Sequence, residues 1–337
     1  MIKEAIDMVV KGNSLDMEQA SQVMNEIMDG EATPAQFGAF VTALRLKGET
    51  VHEIAGMAKV MREKSLPVKA EGPLVDTCGT GGDGTKTFNI STTAAFVVAG
   101  TGVKVAKHGN RGMSSGCGSA DVLDALGVKY DIDATGVERC LDEVGIGFMF
   151  APRFHPAMKF AVNPRKEIGI HTVFNILGPM TNPARAQSQL LGVFSDELAL
   201  TMAEVLGILG CGHALVVHGE DGMDEITLSG KTTVCELKEG AVSRYYIDPQ
   251  DFGFSQTSVN KLRGGSPKVN ADILRCVIHG EKGPYRDITL LNAAAALVAA
   301  DIAKDLKEGV KLAAESIDSF AAMKKLDELR ELTQSLA

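Results

Sequence analysis

Beyond Pro73 the chain alternates short β-branched runs with helical stretches to its end, and that alternation restricts the folds open to it. Leu74-Val75 opens a strand, Ser91 to Gly100 forms a helix rich in Ala and Val, and Val103 to Ala106 forms a second short strand. Ala120 to Leu126 reads as a helix closed by Gly127, followed by helices over Val137 to Val144 and Ile168 to Leu177. Leu190 to Phe194 is a buried strand, Leu198 to Leu209 a helix, and Ala214 to Val217 another strand. Residues 226–247 alternate as hairpin strands do, and two helices, around Leu290 to Leu306 and Lys311 to Leu332, close the chain. Strands separated by helices pair in parallel and bury both sheet faces under the helices. The expected fold class is α/β, with a large domain over 71–337 built on a largely parallel central sheet.

Residues 1–70 carry no strand signal and read as a small helical domain. Ile2, Ala5, Ile6, Val9 and Val10 share one helical face, which Gly12-Asn13 ends. Asp16 with Gln19, Thr33-Pro34 with Gln36, and Thr50 with Glu53 each set a cap residue three positions before Gln or Glu. Apolar helical faces follow each pair, and the last helix ends near Ser65-Leu66-Pro67.

Acids outnumber bases 43 to 34 in the 337 residues, a net charge of −9. That balance argues against general affinity for nucleic acid or an anionic membrane surface. No segment has the length of a membrane-spanning helix, and the charged start lacks a signal peptide's apolar run. Six scattered cysteines without CxxC or zinc spacing read as reduced thiols, which leads us to expect a cytoplasmic protein.

Against this acidic background the window from Gly84 to Ala120 contains no Asp or Glu, yet holds Lys86, Lys104, Lys107, His108 and Arg111. It is also rich in Gly, Ser and Thr, whose small side chains let backbone N–H groups approach a ligand closely. A positive field with exposed amides seats a multiply charged anion, most often phosphate. Gly79, Gly81 and Gly84 keep the spacing G-x-G-x-x-G after a strand, but a dinucleotide site needs an acid about twenty residues further on, which this window lacks. Thr85-Lys86 also stands where a Walker loop has Lys-Ser/Thr. Asn89-Ile90-Ser91-Thr92 opens a helix whose N-terminus favours anions. Lys107-His108-Gly109-Asn110-Arg111 follows a strand, at the sheet edge where ligands gather, and Ser114-Ser115-Gly116-Cys117-Gly118-Ser119 adds hydroxyls and amides. Adjacent carboxylates at Asp224-Glu225, after the strand ending at Val217, suit Mg²⁺, and Asp83 or Ser91 could add ligands. Arg165 starts what reads as a helix, where a cation is disfavoured, so a specific anionic partner is expected for it.

These motifs together resemble those of the anthranilate phosphoribosyltransferases over essentially the whole chain. The resemblance lies in Gly30-Glu31-Ala32-Thr33-Pro34-Ala35-Gln36, Lys47-Gly48-Glu49-Thr50 and Gly79-Thr80-Gly81-Gly82-Asp83. It continues in Asn89 to Thr92, Lys107 to Arg111, Gly118 to Leu123, Phe174 to Pro179 and Asp224-Glu225. It implies a nucleoside phosphorylase/phosphoribosyltransferase-like fold and transfer of the phosphoribosyl group of phosphoribosyl pyrophosphate to anthranilate, the second step of tryptophan biosynthesis. It further implies a homodimer formed through the helical domain, which a helix around 168–178 would join. By this resemblance Gly79, Gly82, Asp83, Thr87, Asn89, Ser91, Thr92, Lys107 and Ser119 bind phosphoribosyl pyrophosphate, within a wider substrate site that takes in Ile90, Gly109, Arg111 and Ser115. Ser91, Asp224 and Glu225 hold Mg²⁺, and Asn110 and Arg165 face anthranilate with His108 nearby. No dedicated acid–base residue is implied.

Three positions depart from the family pattern. Gly116 stands where a basic residue is common, which predicts one phosphate contact fewer; His171 replaces a common Arg, and Met180 a common Leu. A pyrimidine nucleoside phosphorylase would have Lys-His-Ser where this chain has Lys107-His108-Gly109. A non-catalytic single-strand binder of the same fold would want a basic groove and no metal acids, unlike this chain.

Overall fold

The computed structural model describes residues 1–112 and 116–336. Four helices come first: α1 (Ile2–Val10), α2 (Met17–Asp29), α3 (Pro34–Lys47) and α4 (Val51–Glu63). All three expected capping boxes are present, with Asp16, Thr33 and Thr50 each accepting from the backbone N–H three residues on. Glu53 does more than cap. Fully buried, it accepts from the Leu15 N–H (2.9 Å) and pairs with Lys47 (3.0 Å), so one carboxylate ties the start of α4 to the end of α3.

The rest of the chain runs β1 (Leu74–Gly79), α5 (Ile90–Gly100), β2 (Lys104–Gly109), α6 (Ser119–Ala125), α7 (Ala134–Arg139, continued by a π turn) and β3 (Ile146–Phe150). Then come α8 (Ala151–Phe154), α9 (Lys159–Ile168), α10 (Phe174–Leu177), β4 (Ser188–Gly192), α11 (Asp196–Ile208), β5 (His213–Gly219), β6 (Thr232–Lys238) and β7 (Ala241–Ile247). Four helices finish it: α12 (Pro267–Ile278), α13 (Pro284–Ala299), α14 (Leu306–Asp318) and α15 (Ala321–Ser335). The strands form one sheet in the order β3-β2-β1-β4-β5-β6-β7. β3 to β5 are parallel, and the β6–β7 hairpin is antiparallel at one edge.

Side chains alternate across the sheet. Leu190, Leu215, Val217 and Val234 enter one core with α5 and α13–α15, while Leu191, Ala214, Val216 and Cys235 enter the other with α11 and the N-terminal helices. Burial of both faces accounts for the unbroken apolar run at β5. The N-terminal bundle therefore packs on the sheet itself. Half-buried Arg62 fixes it there, donating to the carbonyls of Met180 (2.5 Å) and Leu209 (2.9 Å).

Three expectations need correction. The helix expected over 168–177 lies earlier: α9 ends at Ile168, Gly169 turns left-handed (φ +68), and only one helical turn, α10, follows. It is α9 that packs on α2 and α3, with α10 against α4. Where two helices were expected over 290–332 there are three, α13 to α15; the breaks fall at Asp301 (φ +56) and Phe320 (φ +62), left-handed residues that no glycine announces. Residues 226–231 precede the hairpin and belong to neither of its strands.

Candidate active site

In this sheet β2 lies on one side of β1 and β4 on the other, so the chain reverses its winding direction at β1. Ligands of open α/β sheets bind outside the carboxyl ends of strands at such a switch point. Both motif loops start there: residues 80–89 leave β1, and Asn110 leaves β2.

The loop after β1 has Gly81, Gly82, Gly84 and Lys86 at φ +70, +82, +71 and +56. Repeated left-handed residues turn successive N–H groups inward and form an anion-binding concavity. Asp83 accepts from the N–H (3.2 Å) and hydroxyl (2.5 Å) of Thr85, and Thr87 bridges to Arg263 on a distant segment. Asn89 precedes α5 without capping it, and Ile90 and Thr92 anchor the first turn in the core.

Asp224 and Glu225 meet this loop. The Gly81 N–H donates to Asp224 Oδ2 (2.7 Å), and the Ser91 N–H donates to Glu225 Oε1 (3.1 Å). The strand ends are glycine for a steric reason. A Cβ on Gly79 would lie 2.2 Å from Asp224 Oδ2, and one on Gly192 only 1.5 Å from the Asp224 carbonyl oxygen. Burial, then the charge of Asp83, pushes the Asp224 carboxyl up to about 7. Glu225 is raised too, by burial first and Asp224 second.

Lys107 is the cation facing these acids. Its ammonium is buried and donates to the Thr77 carbonyl and to Ser91 Oγ (3.3 Å). Burial lowers its pKa, partly offset by Asp76, Cys78 and Glu225. Asp76 and Asn182, which sequence reading did not single out, stand behind it. Buried Asp76 accepts from Asn182 Nδ2 (2.8 Å) and the His108 N–H (3.3 Å). An acid inside an apolar strand was the available signal for Asp76; Asn182-Pro183 looks like an ordinary turn.

The second loop is closed from below. Asp121 accepts from the N–H groups of Gly112 (2.8 Å) and Gly118 (2.9 Å), and Ser119 donates to the Asn110 carbonyl (3.2 Å). A Cβ on Gly109 would lie 2.2 Å from Ser119 Oγ. Arg111 is engaged with Asp121 (2.9 Å) and the Tyr130 hydroxyl, so this cation of the window is already paired. Ser115 lies outside the described residues. A Cβ on Gly116 would have only the Gly265 carbonyl within 4 Å among the described residues, leaving the place of the common basic residue open.

His108 and His155 are both buried, with ring centroids 5.0 Å apart, and the Nε2 atom of each lacks a hydrogen-bond partner among the described residues. Burial drives His108 well below the ordinary histidine range and His155 down to about 4, so both rings are neutral at pH 7. Arg165 sits in the last turn of α9, where a cation is favoured, which removes the helix-start reasoning for its partner. What singles it out is geometry: its guanidinium lies 5.4 Å from the Phe174 ring centroid, half-buried, with no carboxylate within ion-pair reach among the described residues. His171 lies against the loop after β1, its Cε1 3.0 Å from where a Gly82 Cβ would be. Met180 is fully buried and serves packing, so its exchange for Leu conserves volume.

Residues 3–65 match the helical bundle domain, and residues 71–323 the a/b domain, of the glycosyl transferase family. Fold and site thus define a two-domain glycosyl transferase. The chain is 56% identical over 339 residues to the anthranilate phosphoribosyltransferase of Dehalococcoides mccartyi, covering 100% of this chain and 99% of the relative. That of Chloroflexus aggregans is 59% identical over 327 residues, covering 96% of each. Among solved structures, the Thermus thermophilus enzyme superposes with a TM-score of 0.93 at 44% identity, covering 98% of this chain and 99% of that one. The Saccharomyces cerevisiae enzyme in complex with PRPP and Mg gives 0.92 at 29% identity, covering 99% and 98%. The chain belongs to the anthranilate phosphoribosyltransferase family.

Proposed function

We propose that the strand-end cleft is where this enzyme transfers the phosphoribosyl group of 5-phosphoribosyl 1-pyrophosphate to the amine of anthranilate, giving N-(5-phosphoribosyl)anthranilate and pyrophosphate. The observation that carries the assignment is the meeting of a left-handed amide loop with Asp224 and Glu225 over glycine strand ends. A phosphate seated in that loop and the crowded carboxylates beside it repel one another unless a cation lies between them.

Mg²⁺ fits that place. The raised carboxyls of Asp224 and Glu225 mark acids held together with too little positive charge, and Ser91 adds an oxygen beside Glu225. Among the described residues no three His, Cys, Asp or Glu form a cage, as suits an ion that keeps waters and shares ligands with a substrate phosphate. When bound, Mg²⁺ supplies positive charge that makes pyrophosphate a better leaving group. The chain's own groups do the rest. The amides of Gly79 to Gly84, the start of α5 at Asn89 to Thr92, and Lys107 hold the phosphates, with Asp83, Thr87 and Ser119 bordering them. Arg165 holds the anthranilate carboxylate and Asn110 orients the ring, beside neutral His108. The attacking amine is an aniline, already neutral at pH 7, so catalysis rests on positioning and electrostatics. Fewer cations reach the phosphates than the window suggests, since Arg111 is paired and Gly116 offers none.

The test follows anthranilate fluorescence with protein, phosphoribosyl pyrophosphate and Mg²⁺, against a metal-free control. Mg²⁺-dependent loss of signal with stoichiometric pyrophosphate release is expected; persistence of the signal despite phosphoribosyl pyrophosphate binding would require another acceptor.

The enzyme is further proposed to act in the cytoplasm as a homodimer. All six cysteines are free, and no helix of the described residues is long and apolar enough to cross a membrane. Val10 and Leu46, on the mutually packed α1 and α3, are 68% and 83% exposed, apolar surface that a partner would cover. Light scattering should give twice the 35.6 kDa chain mass, and a monomer would refute it.

A further inference from the structure

The loop after β1 is held by a segment that the proposed chemistry does not use. Residues 262–265 run antiparallel to residues 86–88: Phe88 donates to the Leu262 carbonyl (3.1 Å) and Gly264 to the Lys86 carbonyl (3.0 Å). Gly264 must be glycine, because a Cβ there would lie 2.5 Å from Asn270 Oδ1 and 2.8 Å from Phe88 Cα. Asn270, in the first turns of α12, is 2% exposed.

The Asn270 amide bonds to two segments, and Asn89 carries the connection to a third. Its Oδ1 accepts from the Gly265 N–H (2.7 Å), and its Nδ2 donates to Asn89 Oδ1 (2.9 Å). Asn89 Nδ2 in turn donates to the Cys117 carbonyl in the second loop (3.2 Å). The chain of bonds has a direction. Asn89 Oδ1 accepts from Asn270 Nδ2 and, more weakly at 3.4 Å, from the Cys117 thiol, so the Asn89 oxygen faces Asn270 and its NH₂ faces the Cys117 carbonyl. A reversed Asn89 amide would set its oxygen against a carbonyl oxygen and its nitrogen against a donor, losing both bonds.

We infer that Asn270 is a positioning residue for phosphoribosyl pyrophosphate: by fixing the orientation of the Asn89 amide it locks the loops after β1 and β2 into one binding surface. This rests on the assignment of that surface to phosphoribosyl pyrophosphate. It acts through Asn89 and makes no demand on the anthranilate side of the cleft.

The near-isosteric Asn270→Asp tests it, since the new carboxylate cannot donate to Asn89 Oδ1 and invites the amide to turn over. With the full-length enzyme and Mg²⁺, the KM for phosphoribosyl pyrophosphate should rise about tenfold, the worth of one or two buried hydrogen bonds. The KM for anthranilate should stay within about twofold. Amide hydrogen exchange on the ligand-free protein should quicken in both loops, at 79–89 and at 110–112 with 116–118, while α13 keeps its protection. Equal rises in both KM values, no change in either, or faster exchange confined to 262–270 would overturn the inference. Asn270→Ala, which also lacks a donor for Asn89 Oδ1, replaces the Asp variant if that one does not fold, with the same criteria. Failure of the wild-type enzyme to use anthranilate would refute the proposed function instead, and the exchange measurement would still decide whether Asn270 couples the loops.

Discussion

Asp224 is kept where a carboxylate ionises reluctantly, between Asp83 and Glu225 under a glycine strand end. A carboxyl raised to about 7 contributes stability below its unfolded value and loses it as pH climbs through 7. Asp224→Asn keeps the acceptor for Gly81 and removes the charge. At pH 8 without metal it should raise the melting temperature by a few degrees, while Mg²⁺-dependent turnover falls to background together with Glu225→Gln. Calorimetry beside the fluorescence assay checks both halves. Arg165→Ala should raise the anthranilate KM roughly 30- to 100-fold through loss of a charge-assisted pair, and leave that for phosphoribosyl pyrophosphate nearly unchanged. Equal effects on both would remove Arg165 from the acceptor side. His155 supplies a pH signature. It titrates at about 4 when folded against 6.5 unfolded, so the unfolded chain binds the extra proton between those values. Stability therefore rises from pH 4 to 6.5 by up to ~3 kcal/mol and levels off above. His155→Gln should flatten that rise in urea titrations, leaving the part due to His108. Much of this chemistry was legible in residue types: the glycines, Lys107 and the paired acids announce themselves by composition. Pairing was not. Nothing in the sequence shows that Arg111 is spoken for by Asp121 and Tyr130, because that contact depends on how α6 and the chain beyond it fold back.

Local rules served the elements unevenly. Capping boxes are complete within four residues, so Asp16, Thr33 and Thr50 mark helix starts without tertiary information. Strands β1, β2, β4 and β5 were legible as apolar runs, though each extends beyond its apolar part to deliver site residues such as Gly79 and Lys107. β3 was not, since Ile146 follows the π turn directly with only Gly145 between. Ser266-Pro267 is a start signal for α12, but the long loop-like stretch before it conceals the helix in the sequence. Glycine at the end of β4 is the element-level requirement of the site. Gly192→Ala must push the backbone at Asp224 away by more than an ångström, costing about 1–3 kcal/mol. Mg²⁺-dependent activity should be lost even where the variant remains folded, as read by circular dichroism and the transfer assay together.

Among the described residues the two domains share few polar ties. Arg62, pushed down by burial to about 10, satisfies carbonyls at the end of α11 and beside α10, and no carboxylate accompanies it among the described residues. Arg62→Ala leaves both carbonyls unsatisfied and should cost about 2–4 kcal/mol in denaturant titrations; a loss below about 1 kcal/mol would show that water replaces it. The core on that face is shared. Met24, Phe40, Ile54 and Met57 lie in one cluster with Leu191, Val216, Cys235 and Leu237. Those partners differ sharply in when they leave the ribosome. The bundle's helices can form as they emerge, yet the strands that cover its inner side are made only after most of the sheet domain has been translated. Through that interval the nascent chain carries exposed apolar surface, and the loop after β1 waits longer still for residues 262–270. A chain truncated before that point lacks the segment that pairs with residues 86–88, and its uncovered apolar surface predicts a client for chaperones and proteases.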